Sequence, residues 1–383
     1  MNIVILGSTG SIGTQALEVI EELGGEYKVF ALCANNNTGL IESQARRFGP
    51  EFCVLYGEAQ ARELKVKLAD TRVKVLSGIE GMNYIAAHEG AGYVINALMG
   101  QVGLAPTLSA LSAGKDVGLA NKETLVAAGE IVMRAARENN AGILPIDSEH
   151  CAIWQCLLGE DRRDVERLVL TASGGPFYGM ARGDLERVTV ADALAHPTYP
   201  DMGRKISVDS ATMMNKGLEL IEARWLFGVA PDNIDIVVHR ESIVHSLVQF
   251  VDKSMKAQLS LPDMRMCIRY ALAHCSRNRR AECKAEGLDL PRAGSLSFAE
   301  PDNDIFPELA RAVVKEGGTL PAAMNAANEA AVGLFLRGKI RYLDIFDIVV
   351  RAVGTHNNNK RAGIDDIISC AEEIKNGIKR HFI

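Results

Sequence analysis

Short apolar runs alternate along the chain with longer stretches in which apolar residues recur at helical spacing. The first run, residues 2–6, precedes a glycine-rich turn and then a stretch of helical periodicity. Further short runs occupy residues 29–32, 52–55, 73–76 and 93–95, with helical stretches between them. This order is typical of a parallel sheet covered by helices on both faces. We therefore expect a doubly wound α/β domain over residues 1–146.

The rest of the chain predicts a mixed segment followed by a helical one. Residues 147–275 predict an α+β domain with a strong helix near 210–227. Its predicted strands are 167–171, 205–208, 234–238 and 243–250. Residues 276–300 are polar and irregular, which favours a surface linker. Apolar residues then follow helical spacing, so residues 301–383 are expected to form a helical domain.

Composition and charge narrow the class of protein. The 383 residues are 48% hydrophobic and 23% charged, which is typical of a globular protein and excludes a disordered chain. The net charge of −6 argues against a nucleic acid or an anionic membrane as partner. The eight cysteines form no C-x-x-C pair, so buried single thiols are favoured over disulfides. With no signal sequence and no membrane-spanning run in the sequence, we expect a cytoplasmic protein.

Three glycines follow the first predicted strand in the order Gly7-x-x-Gly10-x-x-Gly13. Glycine permits a sharp turn and lets backbone N–H groups approach a pyrophosphate at the start of a helix. A tight strand–helix turn also needs glycine for steric reasons alone, but the strand before it and the helix after it favour dinucleotide binding. The first domain is therefore expected to be a dinucleotide-binding Rossmann domain.

Residues at the end of the second predicted strand indicate which dinucleotide binds. An NAD enzyme usually places Asp or Glu there, and that carboxylate would repel a 2′-phosphate. This chain instead has Asn35, Asn36 and Asn37, with Arg46 and Arg47 one helix further on. NADP(H) is therefore favoured, although the three asparagines could instead form a turn.

Two carboxylates flank Ser148, at Asp147 and Glu149. On an extended backbone both would point the same way, and two like charges that close need a cation or a proton between them. Oxygen ligands without a His or Cys cluster favour a hard ion, Mg²⁺ or Mn²⁺. The alternative is that this Asp-x-Glu segment forms a solvated turn.

A third carboxylate lies on the strong helix of the central segment. The polar residues that share one arc of about 100° on this otherwise apolar helix are Thr212, Asn215, Lys216 and Glu219. Buried polar groups need partners, so we expect Glu219 to complete the metal site. Ser210, Asn215 and Lys216 would hold an anion near the start of the helix. A purely structural pair between Lys216 and Glu219 is the alternative.

A second glycine turn, Ser173-Gly174-Gly175, follows a predicted strand and offers a hydroxyl and free amides to a phosphate. Residues 195–204 contain two prolines and an aromatic residue, and we expect them to form a lid over the site. His196 in this loop is a candidate site residue because of its neighbours. His245 is instead expected to be a packed strand residue.

With these residues assembled, the chain resembles the 1-deoxy-D-xylulose 5-phosphate reductoisomerase family over essentially its whole length. The most specific matching segment is 203–219, and the others are 7–13, 120–123, 147–150, 173–177, 297–302 and 325–329. The resemblance implies a homodimer with a Rossmann domain for NADPH, a central metal- and substrate-binding domain and a helical C-terminal domain. It implies conversion of 1-deoxy-D-xylulose 5-phosphate to 2-C-methyl-D-erythritol 4-phosphate in non-mevalonate isoprenoid biosynthesis.

The same resemblance implies roles for single residues. The NADPH contacts would be Thr9, Gly10, Ser11, Ile12, Asn35, Asn36, Asn37, Asn121, Glu123 and Gly203. The metal ligands would be Asp147, Glu149 and Glu219. The substrate would contact Lys122, Ser148, Glu149, Ser173, His196, Ser210, Asn215, Lys216 and Glu219. Glu149, Lys122 and His196 are the candidate catalytic residues.

Two departures from the family pattern bear on binding. Asn35 and Asn36 stand where the family usually has Gly and a basic residue. This difference affects the contact with the 2′-phosphate and hence the strength of the NADPH preference. The lid has Tyr199 in place of Trp and one extra residue, which bears on substrate and inhibitor fit.

Two other functions remain compatible with the sequence. One is a two-domain NADP dehydrogenase with a cysteine nucleophile, for which Cys151 is the candidate. Thiol alkylation rather than chelation would then inactivate the protein. The other is a dinucleotide-sensing regulator, which would leave Asn215, Lys216 and Glu219 without a function.

Overall fold

The computed structural model describes residues 1–198, 203–275 and 285–382. The chain divides into two compact units, each made of several segments. Unit 1 comprises residues 1–124, 130–151 and 263–286, and unit 2 comprises residues 125–129, 152–262 and 287–383.

Unit 1 is built on a parallel sheet. Its strands are β1 (Asn2–Leu6), β2 (Lys28–Ala34), β3 (Phe52–Leu55), β4 (Lys74–Ser77), β5 (Tyr93–Asn96), β6 (Asp116–Leu119) and β7 (Ile143–Pro145). The connecting helices are α1 (Ser11–Leu23), α2 (Thr38–Phe48), α3 (Glu58–Lys67), α4 (Gly78–Ala87), α5 (Leu104–Ser112) and α6 (Lys122–Glu138). Within the described residues the strand order is β4-β3-β2-β1-β5-β6-β7. The predicted doubly wound fold is confirmed, with β6 and β7 as strands that the sequence analysis did not identify.

The strand order of unit 1 reverses between β1 and β5. The chain runs outward from β1 to β4 and returns to pair β5 with β1. In open parallel sheets, ligands bind outside the carboxyl ends of the strands at such a reversal. The glycine turn after β1 lies at this position.

The chain leaves unit 1 within α7 (Ser148–Cys156) and returns to it as α11 (Met264–Cys275). In α11, the Leu272 carbonyl accepts a hydrogen bond from the Tyr27 hydroxyl at 3.2 Å, and Arg269 pairs with Glu22 at 3.1 Å. The sequence-based boundary placed this helix in the central domain. Its packing partners lie some 250 residues away in the chain, which local periodicity does not reveal.

Unit 2 combines a small sheet with most of the remaining helices. Its strands are β8 (Val165–Ala172), β9 (Ile234–Val238), β10 (Val244–Phe250) and β11 (Met255–Leu259), in the order β11-β10-β8-β9 among the described residues. Its helices are α8 (Val190–Leu194), α9 (Arg204–Ala211), α10 (Met214–Phe227), α12 (Leu290–Ala293), α13 (Ile305–Glu316), α14 (Leu320–Leu336), α15 (Asp344–Thr355) and α16 (Ile364–Phe382). The predicted helical C-terminal region is confirmed.

One apolar core joins the central and C-terminal parts of unit 2. Leu218 and Ile221 of α10 belong to the same buried cluster as Phe306 of α13 and Phe346 of α15. The Phe306 and Phe346 rings stack at 4.7 Å. The predicted separation of residues 147–275 from 301–383 therefore differs from the packing. Of the predicted linker, residues 276–284 lie outside the described residues, and Ala299 pairs with Val238 at the end of β9.

In the central segment one local prediction is wrong and another is confirmed only in part. Residues 205–208 form part of α9 and not a strand, and the helix near 210–227 is broken between α9 and α10. Ile206 and Val208 alternate with polar residues, and so short an alternation fits either period. At the break, Met213 adopts the left-handed conformation with φ +62°.

Among the described residues, none of the helices is long and apolar enough to cross a membrane. The cysteines whose side chains are described are reduced and buried: Cys33, Cys53, Cys151, Cys156, Cys267 and Cys370. The prediction of single buried thiols is confirmed for this part of the chain, and His245 lies buried in β10 as expected.

Candidate active site

The glycine turn after β1 leaves no room for a side chain at Gly7. The residue has φ +89°, and a Cβ added to it would lie 2.5 Å from the Ala97 carbonyl oxygen. The Gly7 and Ser8 amides donate to the Cys33 carbonyl at 2.9 and 2.8 Å. The turn is therefore fixed between β2 and β5, with Gly10 as the N-cap of α1. This arrangement presents the first turn of a helix to an anion.

The asparagine segment after β2 serves partly as a turn. Asn37 is the N-cap of α2, and its Oδ1 atom accepts from the Leu40 amide at 3.0 Å. Asn35 and Asn36 are exposed, so their amides face solvent at the carboxyl edge of the sheet. The turn interpretation therefore applies to Asn37, and ligand binding by Asn35 and Asn36 stays a prediction.

Arg46 and Arg47, which the sequence suggested as aids to NADP(H) selection, form ion pairs in unit 1. They lie in the last turn of the 11-residue α2, at the opposite end from Asn37. Arg46 pairs with Asp70 at 2.9 Å, and Arg47 pairs with Glu21. These ion pairs engage both arginines within unit 1, and their contribution to NADP(H) selection stays a prediction.

Asn121 ties together the loops at the carboxyl edge of the sheet. Its side chain caps α6 by accepting from the Thr124 amide at 3.0 Å. Its Nδ2 atom donates to the carbonyls of Leu98 and Gly100 and, at 3.0 Å, to the Glu123 carboxylate. Both Asn121 and Glu123 are buried. The loops after β5 and β6 are therefore held in one arrangement beside the glycine turn.

The acidic segment after β7 begins a helix. The segment is not extended throughout, as was expected from the sequence, because Ser148 and Glu149 already belong to α7. The Asp147 Oδ1 atom accepts from the amides of Glu149 and His150 at 3.1 Å and so caps this helix. The Asp147 and Glu149 carboxylate oxygens nevertheless lie within 4.8 Å of each other. Ser148 donates its hydroxyl to Glu149. Two carboxylates thus converge by a different local structure from the predicted one.

Asp147 is buried and ionised. Burial disfavours its charged form, but the Lys122 ammonium and the His150 ring hold the pKa of Asp147 well below its usual range. Lys122 contacts one carboxylate oxygen, and His150 Nδ1 lies 2.8 Å from the other. The contribution of His150 was not predicted, although its spacing of three residues from Asp147 on a helix indicates this contact.

In unit 2, α10 carries a buried polar cluster. Lys216 Nζ and Asn215 Nδ2 both donate to the Glu219 carboxylate, and Glu219 is 1% exposed. The predicted Lys216–Glu219 pair is present, but Asn215 joins it. Asn215 Oδ1 is buried without a hydrogen-bond partner in the described chain, so a ligand donor would satisfy it. Thr212 does not belong to this face, since its hydroxyl donates back to the Val208 carbonyl in α9 at 3.1 Å.

Three predicted substrate residues of unit 2 meet at one ring nitrogen. His196 Nε2 lies 2.9 Å from Ser173 Oγ and 3.1 Å from Ser210 Oγ. The Thr198 amide donates to Nδ1 at 3.2 Å, which assigns the proton of the neutral ring to Nε2. Burial, with the charges of Lys216 and Arg240, lowers the pKa of His196 to about 4. The ring is therefore a neutral donor at pH 7.

The glycine turn after β8 is packed against the end of α9. Gly175 has φ +66°, and a Cβ added there would lie 2.9 Å from the Ser210 carbonyl oxygen. This close approach brings Ser173 and Ser210 to the same histidine. Gly203 is the N-cap of α9. Residues 199–202 of the predicted lid, including Tyr199, lie outside the described residues.

The predicted site residues therefore fall into two groups. Unit 1 holds Thr9, Gly10, Ser11, Ile12, Asn35, Asn36, Asn37, Lys122, Asn121, Glu123, Asp147, Ser148 and Glu149, and unit 2 holds Ser173, His196, Gly203, Ser210, Asn215, Lys216 and Glu219. Unit 1 offers a dinucleotide turn and an acidic pair. Unit 2 offers hydroxyls, amides and a cation, which are suited to a phosphorylated ligand.

Family profiles match three parts of the chain. Residues 3–129 match the profile described as 1-deoxy-D-xylulose 5-phosphate reductoisomerase, and residues 143–227 match that of its C-terminal domain. Residues 259–377 match a further DXP reductoisomerase C-terminal domain.

Individual relatives match over nearly the full length. The 1-deoxy-D-xylulose 5-phosphate reductoisomerase of Halothermothrix orenii is 49% identical over 368 residues, which are 96% of this chain and 94% of the relative. That of Caldanaerobacter subterraneus is 46% identical over 383 residues, 100% of this chain and 99% of the relative. The solved enzyme of Zymomonas mobilis in complex with NADPH is 39% identical, with a TM-score of 0.91, and covers 100% of this chain and 98% of its own. A DOX-P reductoisomerase in complex with NADPH, fosmidomycin and magnesium gives a TM-score of 0.93 at 37% identity, with coverage of 100% and 98%.

Proposed function

The chain belongs to the 1-deoxy-D-xylulose 5-phosphate reductoisomerase family, and from this premise we propose how its own residues perform the reaction. The protein is an NADPH- and divalent-metal-dependent enzyme that isomerises and reduces 1-deoxy-D-xylulose 5-phosphate to 2-C-methyl-D-erythritol 4-phosphate. This is a step of non-mevalonate isoprenoid biosynthesis. The observation that carries the proposal is the acidic pair in unit 1, which joins the buried Asp147 to the half-buried Glu149.

Asp147, Glu149 and Glu219 are the proposed ligands of a magnesium or manganese ion. Asp147 and Glu149 bring two carboxylates within 4.8 Å of each other, although Lys122 compensates only part of their charge. Glu219 supplies a third carboxylate, which is buried, so all three ligands bind through oxygen. This donor set fits a hard cation. When bound, such an ion supplies Lewis-acid polarisation and a template for neighbouring substrate oxygens.

The substrate phosphate is proposed to bind the unit 2 group. The hydroxyls of Ser173 and Ser210 lie within 3.1 Å of His196 Nε2. These two hydroxyls and the Nε2–H group are therefore three neighbouring hydrogen-bond donors. Lys216 adds a positive charge and Asn215 an amide. Because the ring of His196 is neutral at pH 7, its Nε2–H would donate to the anion. Binding energy gained at the phosphate can hold the reacting carbons in register.

Lys122, Ser148 and Glu149 are proposed to contact the reacting end of the substrate. Lys122 already holds a proton beside Asp147, so its ammonium can donate to a substrate oxygen in the same region. Ser148 orients the Glu149 carboxylate through its hydroxyl. Glu149 and Lys122 are therefore the candidates for moving protons.

NADPH is proposed to bind at the switch point of unit 1. The pyrophosphate would lie against Thr9, Gly10, Ser11 and Ile12, where Gly7 and Gly13 leave room for backbone only. Asn35, Asn36 and Asn37 would face the 2′-phosphate, and Asn121, Glu123 and Gly203 would complete the site. When bound, the cofactor supplies the hydride for reduction.

We further propose a cytoplasmic homodimer. β11 is an edge strand of the unit 2 sheet, and Val251, Met255 and Leu259 around it are exposed apolar residues. A strand edge with apolar side chains favours pairing with another chain, and a second copy is the simplest partner. Sedimentation of the wild type and of Met255→Lys would test this surface, since the charge should shift the protein toward the monomer.

One assay tests the function as a whole. The protein is freed of metal with EDTA and mixed with NADPH and 1-deoxy-D-xylulose 5-phosphate, and NADPH oxidation is recorded with and without added Mg²⁺ or Mn²⁺. Oxidation that requires both the sugar phosphate and the ion is expected. Oxidation without the ion, or none with it, would contradict the proposal.

A further inference from the structure

Asp209 is a buried carboxylate whose two oxygens are held by two different elements. Its Oδ1 accepts from Asn328 Nδ2 on α14 at 2.8 Å, and its Oδ2 pairs with Lys205 Nζ, one turn earlier on α9, at 2.8 Å. Asp209 is 1% exposed and Asn328 is 0% exposed. A buried charge held in this way fixes the side chains that surround it.

The end of α9 receives further hydrogen bonds from the C-terminal part of unit 2. The Tyr342 hydroxyl donates to the Ala211 carbonyl at 2.7 Å, and Asn303 donates to the Thr212 carbonyl at 3.3 Å. Carbonyls in the last turn of a helix lack partners within the helix. Side chains from the C-terminal segment supply those partners here.

The segment held in this way connects two parts of the proposed phosphate site. Ser210 precedes the left-handed Met213, and Asn215 follows it. This backbone conformation is unfavourable for a non-glycine residue, so contacts with the surrounding structure must stabilise it. The relative direction of α9 and α10, and hence of Ser210 and Asn215, therefore depends on those surroundings.

We propose that Asp209 and Asn328 are positioning residues for the substrate phosphate. Their hydrogen bond holds the α9–α10 junction so that Ser210 and Asn215 face one anion. The inference rests on the proposed function of that site, and neither residue touches the ligand. Loss of the hydrogen bond is expected to weaken substrate binding more than it slows turnover, and to leave NADPH binding in unit 1 unchanged.

Asn328→Ala tests this inference. We expect KM for 1-deoxy-D-xylulose 5-phosphate to rise about tenfold, as the loss of one hydrogen bond to a buried carboxylate implies, with kcat within about threefold of wild type. The dissociation constant of NADPH, measured by fluorescence titration, should not change. Glu329→Gln is the matched control, because it changes the adjacent residue, which pairs with Lys375 instead of α9. The double variant Asp209→Asn/Asn328→Asp, which exchanges donor and acceptor, should recover part of the lost affinity.

Two outcomes would overturn the inference. One is an Asn328→Ala protein that melts at lower temperature but keeps the wild-type KM for the sugar phosphate, and the other is a KM change matched by Glu329→Gln. If Asn328→Ala fails to fold, Asn328→Ser is a smaller change at the same hydrogen bond and should still raise KM about threefold; an unchanged KM would reject the inference. A wild-type protein that does not turn over the sugar phosphate would reject the proposed function itself, and the two failures are thereby distinguishable.

Discussion

The Nε2 atom of His196 lies 2.9 Å from the Ser173 hydroxyl, on a ring whose other nitrogen accepts a backbone amide. This relationship makes the histidine a hydrogen-bond donor of fixed direction. It also makes protonation unfavourable, because Nδ1 would lose its role as acceptor.

The stability of the protein should therefore depend on pH through His196. Burial lowers its folded-state pKa from 6.5 to about 4. Between these values the unfolded chain takes up a proton that the folded protein does not, so stability falls as the pH is lowered from 6.5 to about 4 and this contribution is constant outside that window. In His196→Asn we expect the free energy of unfolding to fall by about 1–2 kcal/mol less over this pH range than in the wild type, allowing for partial solvent screening. Urea unfolding at a series of pH values measures it, and an equally steep decline in the variant would contradict the assignment.

Glu149→Gln should remove turnover but not cofactor binding. The substitution keeps the size of the side chain and removes the charge that the ion needs, so we expect kcat to fall at least about 100-fold. NADPH affinity and the melting temperature should remain close to those of the wild type. Glu89→Gln, a matched change at an exposed position of unit 1, is the control. A wild-type rate in Glu149→Gln would remove this residue from the proposed metal site.

Chelation and thiol alkylation should act differently on the enzyme. Cys151 is fully buried, and the other cysteines whose side chains the structure describes are also buried, with at most 8% exposure. We expect EDTA to abolish NADPH oxidation, Mg²⁺ to restore it, and iodoacetamide to leave it unchanged in the folded protein. Retained activity in Cys151→Ala would agree with this result. Inactivation by alkylation but not by EDTA would instead support the cysteine-dependent dehydrogenase.

Gly7→Ala should disrupt the dinucleotide turn. The new Cβ would lie 2.5 Å from the Ala97 carbonyl oxygen on a backbone with φ +89°, so we expect a destabilisation of about 1–3 kcal/mol and a weakened affinity for NADPH. Gly25→Ala is the control, since no atom lies within 4 Å of its added Cβ. Denaturant unfolding and NADPH titration give the two quantities. Unchanged values in Gly7→Ala would mean that the turn relaxes freely.

Elements whose partners are local or whose faces are wholly buried were predictable from the sequence. β3 (Phe52–Leu55) and β9 (Ile234–Val238) have the predicted bounds. β3 is an apolar run between Glu51 and the Tyr56-Gly57 pair, and β9 is followed by the polar residues His239 and Arg240. The helix over residues 205–208 was not recognised, since Ile206 and Val208 satisfy the period of a strand as well. The left-handed Met213 carries no sequence signal, because distant residues such as Tyr342 stabilise its neighbourhood.

The sequence indicated most of the candidate site residues by their type, but it indicated less of their spatial arrangement. Asp147 and Glu149 were expected to converge on an extended chain, but a helix brings them together. Asp followed by Ser-Glu is itself a helix-start pattern, so this feature could have been found. The contact of Asn328 with Asp209, in contrast, joins residues 119 positions apart, and no local pattern predicts it.

The double role of Asp147 limits how the enzyme can change its choice of ion. This side chain starts α7 and also faces the proposed metal, so a replacement selected for another cation would unwind the first turn as well. Glu149 extends from the first turn of this helix, and its side chain does not cap it. Laboratory evolution toward a softer ion should therefore accumulate changes at 149 and leave 147 untouched.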